Sequence, residues 1–229
     1  MRFSRDRLTR QTYPLTLCLD YAAVMTKVRA YIDGFNLYHA IEKTGRVELK
    51  WLNLMHLCKD LLRNGEELDE VHFFTAVWPY EATKQKRHEN FIAAQEAYGV
   101  IVHRGKFSKP KRWCEKHQRN CPFREEKQTD VGIGIKMLGD AYEKKASRMI
   151  LVTADSDQIP TAKALKNVGT AVLTLAFPPG RDKEARELGN LIPDRLELTI
   201  ERLVNFKLPR TVTRDGKAVA RMPALYAQA

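Results

Sequence analysis

Three short acidic stretches could assemble one site for a hard cation: Tyr31-Ile32-Asp33-Gly34-Phe35-Asn36, Glu125-Glu126-Lys127-Gln128-Thr129-Asp130 and Thr153-Ala154-Asp155-Ser156-Asp157. Asp33 and Asp155 each follow a short apolar run, so both fall where buried strands end, and Asp130 opens a helix. In open α/β sheets, ligands bind outside the carboxyl ends of the strands, where strand order reverses. If the two strands are neighbours, their backbones lie about 4.8 Å apart, and the carboxylates can share an ion. Asp130 could close that site from above, and Asp157 could supply a fourth oxygen or hold a water of the ion. An all-oxygen cluster without nearby His or Cys suits Mg²⁺ or Mn²⁺. Singly, each acid has an ordinary explanation: Asp33-Gly34 as a turn, Asp130 as a first-turn residue, Asp157 as an N-cap. The joint placement is what points to chemistry.

A second group of residues lies between Ile101 and Thr129, where nine basic residues face three acids with Phe107 and Trp113 interleaved. Lys106, Lys109, Lys111, Arg112 and Arg119 can hold a phosphate backbone while Trp113 stacks on unpaired bases, the combination expected for a single-stranded nucleic acid. Inside this segment, Cys114, His117 and Cys121 are spaced closely enough to grip a structural Zn²⁺. A structural site needs four ligands, and His103 on the preceding strand is the nearest candidate. His39, His56, His72 and His88 are isolated and read as surface or core histidines.

The elements that must position these groups alternate. Val28 to Asp33, Val71 to Trp78, Val100 to His103, Met149 to Thr153 and Ala171 to Leu175 read as strands; Trp51 to Leu62, Glu81 to Tyr98, Thr129 to Lys144 and Asp157 to Val168 read as helices. That alternation predicts an α/β fold with a central, mainly parallel five-stranded sheet covered on both faces. Residues 1–24 lack a sustained period and read as a disordered or non-native leader, with Met25 a candidate start. Residues 25–200 form the domain, with a basic loop over 104–128. Residues 201–229 read as a basic, extended arm.

With 229 residues, 44% of them hydrophobic, the chain can bury the core of one domain, and a net charge of +11 favours an anionic partner. Four cysteines are too few for a secreted disulfide scaffold, and a reducing cytoplasm fits. No apolar run approaches the ~20 residues of a membrane-spanning helix. Gly132-x-Gly134 reads as close helix packing, and neither a P-loop nor a nucleophile-elbow pattern is present. Oligomeric state is open: monomer and homo-oligomer are both compatible with the sequence.

Tyr31-Ile32-Asp33-Gly34-Phe35-Asn36-Leu37-Tyr38, Glu125 to Val131 and Thr153 to Asp157, taken in order, resemble the NYN domains of the LabA-like group, relatives of the PIN-domain nucleases. The resemblance covers Val28 to Thr199, with Thr153-Ala154 where such domains often carry Ser-Gly. It implies a PIN-like, Rossmannoid three-layer fold and metal-dependent endoribonuclease activity. It places Asp33, Asp130, Asp155 and Asp157 on the metal, with Asn36 beside them. The expected partner is RNA, single-stranded rather than duplex, cut by metal-activated water. Two other readings share these residues: a catalytically silent RNA-binding or regulatory protein, and a metal-dependent phosphatase-like enzyme.

Overall fold

The computed structural model describes residues 25–122, 125–180 and 185–227. The leader over 1–24, Cys18 and Arg124 lie outside the described residues.

The chain runs β1 (Thr26–Asp33), α1 (Gly34–Lys43), α2 (Leu54–Asp60), β2 (Glu66–Thr75), α3 (Ala82–Ala97) and β3 (Ile101–Arg104). Four short strands follow, β4 (Lys106–Ser108), β5 (Lys111–Cys114), β6 (Arg119–Pro122) and β7 (Glu125–Lys127). Then come α4 (Thr129–Tyr142), β8 (Arg148–Val152), α5 (Ile159–Val168), β9 (Val172–Phe177), α6 (Ala185–Leu191), β10 (Arg195–Glu197) and α7 (Ile200–Leu203). A hairpin, β11 (Thr211–Arg214) and β12 (Lys217–Arg221), closes the described chain.

Six strands make one sheet in the order β10-β9-β8-β1-β2-β3, and every pairing in it is parallel. The sheet is one strand wider than expected, because β10 is only three residues long and carries no apolar run. β1 is central and is buried from Val28 to Asp33. The chain builds outward from it, first through β2 and β3, then back across to β8, β9 and β10. Strand order therefore reverses between β1 and β8.

Side chains alternate across a strand, so β1 serves two cores. Val28, Ala30 and Ile32 pack with Leu37 and Ile41 of α1 and Leu54, Leu57 and Cys58 of α2. Tyr31 packs on the opposite face with Ile133 and Met137 of α4, Ala162 and Leu165 of α5 and Leu188 of α6. The result is a three-layer α/β fold with helices on both sides. Cys58 is a fully buried core residue, as its helical spacing implies.

The buried charges of Arg29 and Asp140 are paired. The Arg29 guanidinium bonds Asp69 at 2.7 Å and lies 3.1 Å from Asp140, which also accepts the Tyr31 hydroxyl at 2.7 Å. Gly134 has Thr161 so close that a Cβ would sit 2.9 Å from its Oγ1, so the glycine sets the approach of α4 and α5.

The C-terminal segment is folded, contrary to the expected extended arm. Trp51, Ala94, Leu208, Val212, Ala220 and Tyr226 form a third apolar cluster. Trp51 Nε1 donates to the Pro209 carbonyl at 3.0 Å, and Asn90 exchanges two hydrogen bonds with the backbone of Arg221. Val212 and Ala220 face each other in the hairpin register, which turns its apolar side onto α3. Among the described residues no helix is long and apolar enough to cross a membrane.

Candidate functional site

Asp33 is the last residue of β1, and Asp155 lies three residues beyond the end of β8; Ile32 and Val152 are register partners on these adjacent strands. The turn after β8 is held by β1. The Thr153 hydroxyl donates to Asp33 Oδ2 at 2.9 Å and accepts the Asp155 N–H at 3.1 Å, while Asn36 Oδ1 accepts the Ala154 N–H at 2.9 Å. Asp33 Oδ1 accepts the Asn36 N–H at 3.0 Å and so caps α1. The two loop ends are thereby fixed to each other.

Asp130, in the first turn of α4, joins them: one carboxylate oxygen from each of Asp33, Asp130 and Asp155 lies within 4.8 Å of the others. Asp157 is exposed and stands outside that group. Its N–H donates to Asp155 Oδ1 at 2.9 Å, so the cap of this turn is Asp155 and not Asp157. The Asp157 charge still reaches Asp130, whose carboxyl pKa is pushed up by burial, by Asp155 and by Asp157.

Burial pushes Asp33 up to about 6, assisted by the charges of Asp130 and Asp155 and opposed by the hydrogen bonds from Asn36 and Thr153. One residue of this neighbourhood was not singled out from the sequence. Glu126, on β7, is pushed up to about 7 by burial and by Asp33 and Asp130, against a hydrogen bond with Thr129. Its Oε1 is buried without a hydrogen-bond partner. The signal was its place in the Glu125-to-Asp130 run, but only the pairing of β7 with β4 brings it to the sheet end. Carboxylates that repel one another and cannot all ionise comfortably fit a divalent ion, and the donors, all oxygen, fit Mg²⁺ or Mn²⁺.

Beside the acids lies a cleft of about 410 Å³, lined among others by Phe35, Tyr38, Trp78, Arg87, Phe107 and Glu126. Phe35 and Tyr38 are exposed although large and aromatic. Trp78 stands edge-on to Phe107 at 5.0 Å between ring centres.

The basic segment is not a loop. β4 pairs with β7 and β5 with β6, giving two antiparallel ladders, the second nested in the chain between the strands of the first, that lead from β3 to α4. Trp113 is 59% exposed on this projection. Two of the expected phosphate-holding residues have partners: Arg112 bonds Glu125 at 2.5 Å, and Lys109 Nζ sits 3.8 Å over the Tyr80 ring centre. Lys106 is directly opposite Lys127, and Lys111 shares the Trp113 face by register, while Arg119 lies across from Cys114.

Cys114, His117 and Cys121 converge, with one ligand atom from each inside a 4.8 Å group. His103 does not join them. Its ring stacks on Phe74 at 4.4 Å and its Nε2 lies 3.0 Å from Nδ1 of the buried His72. β3 belongs to the main sheet, so it holds His103 in a different part of the molecule from the hairpin tip.

No curated protein matches the chain. Among solved structures, a protein of unknown function from Vibrio parahaemolyticus is similar over 81% of this chain and 98% of its own, with a TM-score of 0.53 at 16% identity, which supports the fold alone. A deacetylase bound to teicoplanin matches at a TM-score of 0.26 and 15% identity over 63% of this chain and 64% of its own, too distant to carry any argument. The family model of the NYN domain matches residues 27–193, from the start of the central strand to the loop before β10. The chain belongs to the NYN domain family.

Proposed function

We propose that the protein is a metal-dependent ribonuclease of the LabA-like group within the PIN-like nuclease superfamily, acting on single-stranded RNA in the cytoplasm. The observation that carries this reading is the convergence of Asp33, Asp130 and Asp155 at the point where strand order reverses. A Mg²⁺ or Mn²⁺ ion bound there supplies Lewis-acid activation of water and of a phosphoryl oxygen.

The chain's own residues do the rest. Asp33, Asp130 and Asp155 hold the ion, and Asn36 and Thr153 fix the distance between the two strand-end carboxylates. Glu126, with its pKa near 7, is suited to take a proton close to neutral pH. The cleft offers aromatic faces to unpaired bases and Arg87 to phosphates, while Lys106, Lys111 and Trp113 extend that surface along the hairpin, with Arg119 on its other face. A duplex would hide the base faces that this surface can use.

Labelled single-stranded RNA, single-stranded DNA and duplex RNA should be incubated with the protein in Mn²⁺, Mg²⁺ or EDTA. Cleavage of single-stranded RNA in Mn²⁺ or Mg²⁺, abolished by EDTA and by the pair Asp33→Asn and Asp155→Asn, is the expected result. Binding without cleavage under every metal condition would replace the nuclease by an RNA-binding protein.

A further inference from the structure

We propose a second metal site, independent of the acidic cluster: Cys114, His117 and Cys121 bind one Zn²⁺ at the tip of the β5-β6 hairpin, with a solvent water as the fourth ligand. Three observations converge on it.

The first is register. Cys114 lies opposite Arg119 and Cys121 opposite Arg112, so the two cysteines are diagonal neighbours on one face of the hairpin, and Trp113 with Asn120 occupies the other. The turn between the strands is tight. The His117 N–H donates to the Cys114 carbonyl at 3.1 Å, and Gln118 takes a left-handed φ of 48° while its side-chain amide donates to the Glu115 carbonyl at 2.8 Å. These contacts fold His117 back over the cysteine face.

The second is distance. His117 Nδ1 lies 3.4 Å from Cys114 Sγ and 3.4 Å from Cys121 Sγ. One imidazole nitrogen has a single lone pair or a single proton, so it serves one sulfur well and not two. A shared ion removes the conflict. With Zn–S near 2.3 Å and Zn–N near 2.05 Å in a tetrahedron, the sulfur-to-nitrogen separation is about 3.6 Å, close to both observed values.

The third is the exposure of the tip. Lys111, Arg112, Trp113, Glu115, Lys116, His117, Gln118, Arg119 and Asn120 are all exposed, and the two cysteines are less so. A two-stranded hairpin without a core beneath it is marginal in water. A metal clip across its face lets it present Trp113 and Lys111 on the opposite face in a fixed orientation.

The test uses the full chain, expressed in zinc-supplemented medium and purified under reducing conditions without chelator. Metal analysis should find about one zinc per chain by single-site stoichiometry. Cys114→Ser, His117→Ala and Cys121→Ser should each lower that content at least tenfold, and Asp33→Asn with Asp155→Asn should leave it unchanged. Co²⁺ exchanged into the site should give a thiolate charge-transfer band that Cys114→Ser removes. Unaltered far-ultraviolet dichroism in each variant controls for folding. Wild-type protein without zinc whose two thiols react freely with a disulfide reagent in excess Zn²⁺, or zinc content insensitive to all three ligand substitutions, would overturn the proposal. So would a Cys114–Cys121 disulfide in protein that takes up no zinc once reduced.

Discussion

Asn36 and Ala154 are 118 residues apart in the chain and are joined by one hydrogen bond of 2.9 Å, from the Ala154 N–H to the Asn36 side-chain oxygen. With the Thr153–Asp33 bond it ties the first turn of α1 to the turn after β8. The resemblance implies Asn36 beside the metal; in the structure its hydrogen bond fixes the start of the turn that carries Asp155.

Asn36→Ala should therefore weaken Mn²⁺ binding without removing a ligand. Loss of an outer partner typically lowers metal affinity about 10- to 100-fold, and the unpaired N–H should destabilise the fold by about 1–2 kcal/mol. Calorimetric titration with Mn²⁺ and a thermal melt read the two effects separately. Wild-type affinity in the variant would reduce Asn36 to a helix-end residue.

Asp33→Asn should stabilise the metal-free protein at pH 7.5 while abolishing Mn²⁺ binding. The folded-state pKa of Asp33, about 6, lies above its ordinary value, so the folded state holds the extra proton. Stability of the metal-free protein then falls as pH rises from about 4 to 6 and stays low above that, by an amount on the order of 2–3 kcal/mol. A neutral amide escapes the cost of burying a charge there and the repulsion of Asp130 and Asp155. A Tm for the variant below that of wild type, both in EDTA at pH 7.5, would contradict the account.

Metal affinity should run opposite to that stability trend. An ion competes with protons for Asp33 and, if it reaches the ion, for Glu126, so Mn²⁺ affinity should climb between pH 5 and 8 as groups near 6 and 7 ionise. Glu126→Gln should remove the upper part of that climb. An affinity profile for Glu126→Gln that overlays wild type from pH 6.5 to 8 would place Glu126 outside the ion's reach.

Trp113→Ala should weaken single-stranded RNA binding by about 1–3 kcal/mol, the usual worth of a base–aromatic stack. Lys111→Ala with Arg119→Ala should flatten the dependence of log affinity on log salt, since fewer counterions are released. Arg112→Ala should flatten it less, because Arg112 is bonded to Glu125. Equal slopes for wild type and the double variant would return these residues to a solvated surface.

Gly34→Ala should destabilise the fold by about 1–3 kcal/mol, the range of overpacking. A Cβ there would sit 2.6 Å from the Phe74 carbonyl oxygen and 2.5 Å from the Phe73 ring, and the backbone carbonyl cannot step aside. A chemical denaturation midpoint within error of wild type would show that this corner of β1 and α1 yields more than its contacts suggest.

The central strands and the acids at their ends were readable because a strand buried on both faces is nearly continuous in apolar residues, as in Met149 to Val152. β10 was not, since Arg195-Leu196-Glu197 is an edge strand with nothing apolar to repeat. The hairpin over 211–221 hid for a related reason: only Val212 and Ala220 are buried, and their partners Trp51 and Ala94 lie far away in the chain. His103 shows the same limit from the other side. Nearness in sequence suggested a fourth zinc ligand, but strand pairing gave its ring to Phe74 and His72. Glu126 needed the β4-β7 pairing before its burial had meaning.

The order of strands also carries a timetable. Among the described residues β1 is the first strand made, yet its second neighbour β8 begins only at Arg148. Domains generally fold as units while the chain emerges from its amino terminus. A nascent chain that has not yet released residues 148–155 holds Asp33 and lacks Asp155, so the cluster cannot close on an ion. Ribosome-arrested chains ending before Arg148 should accordingly bind Mn²⁺ no better than an unfolded chain does.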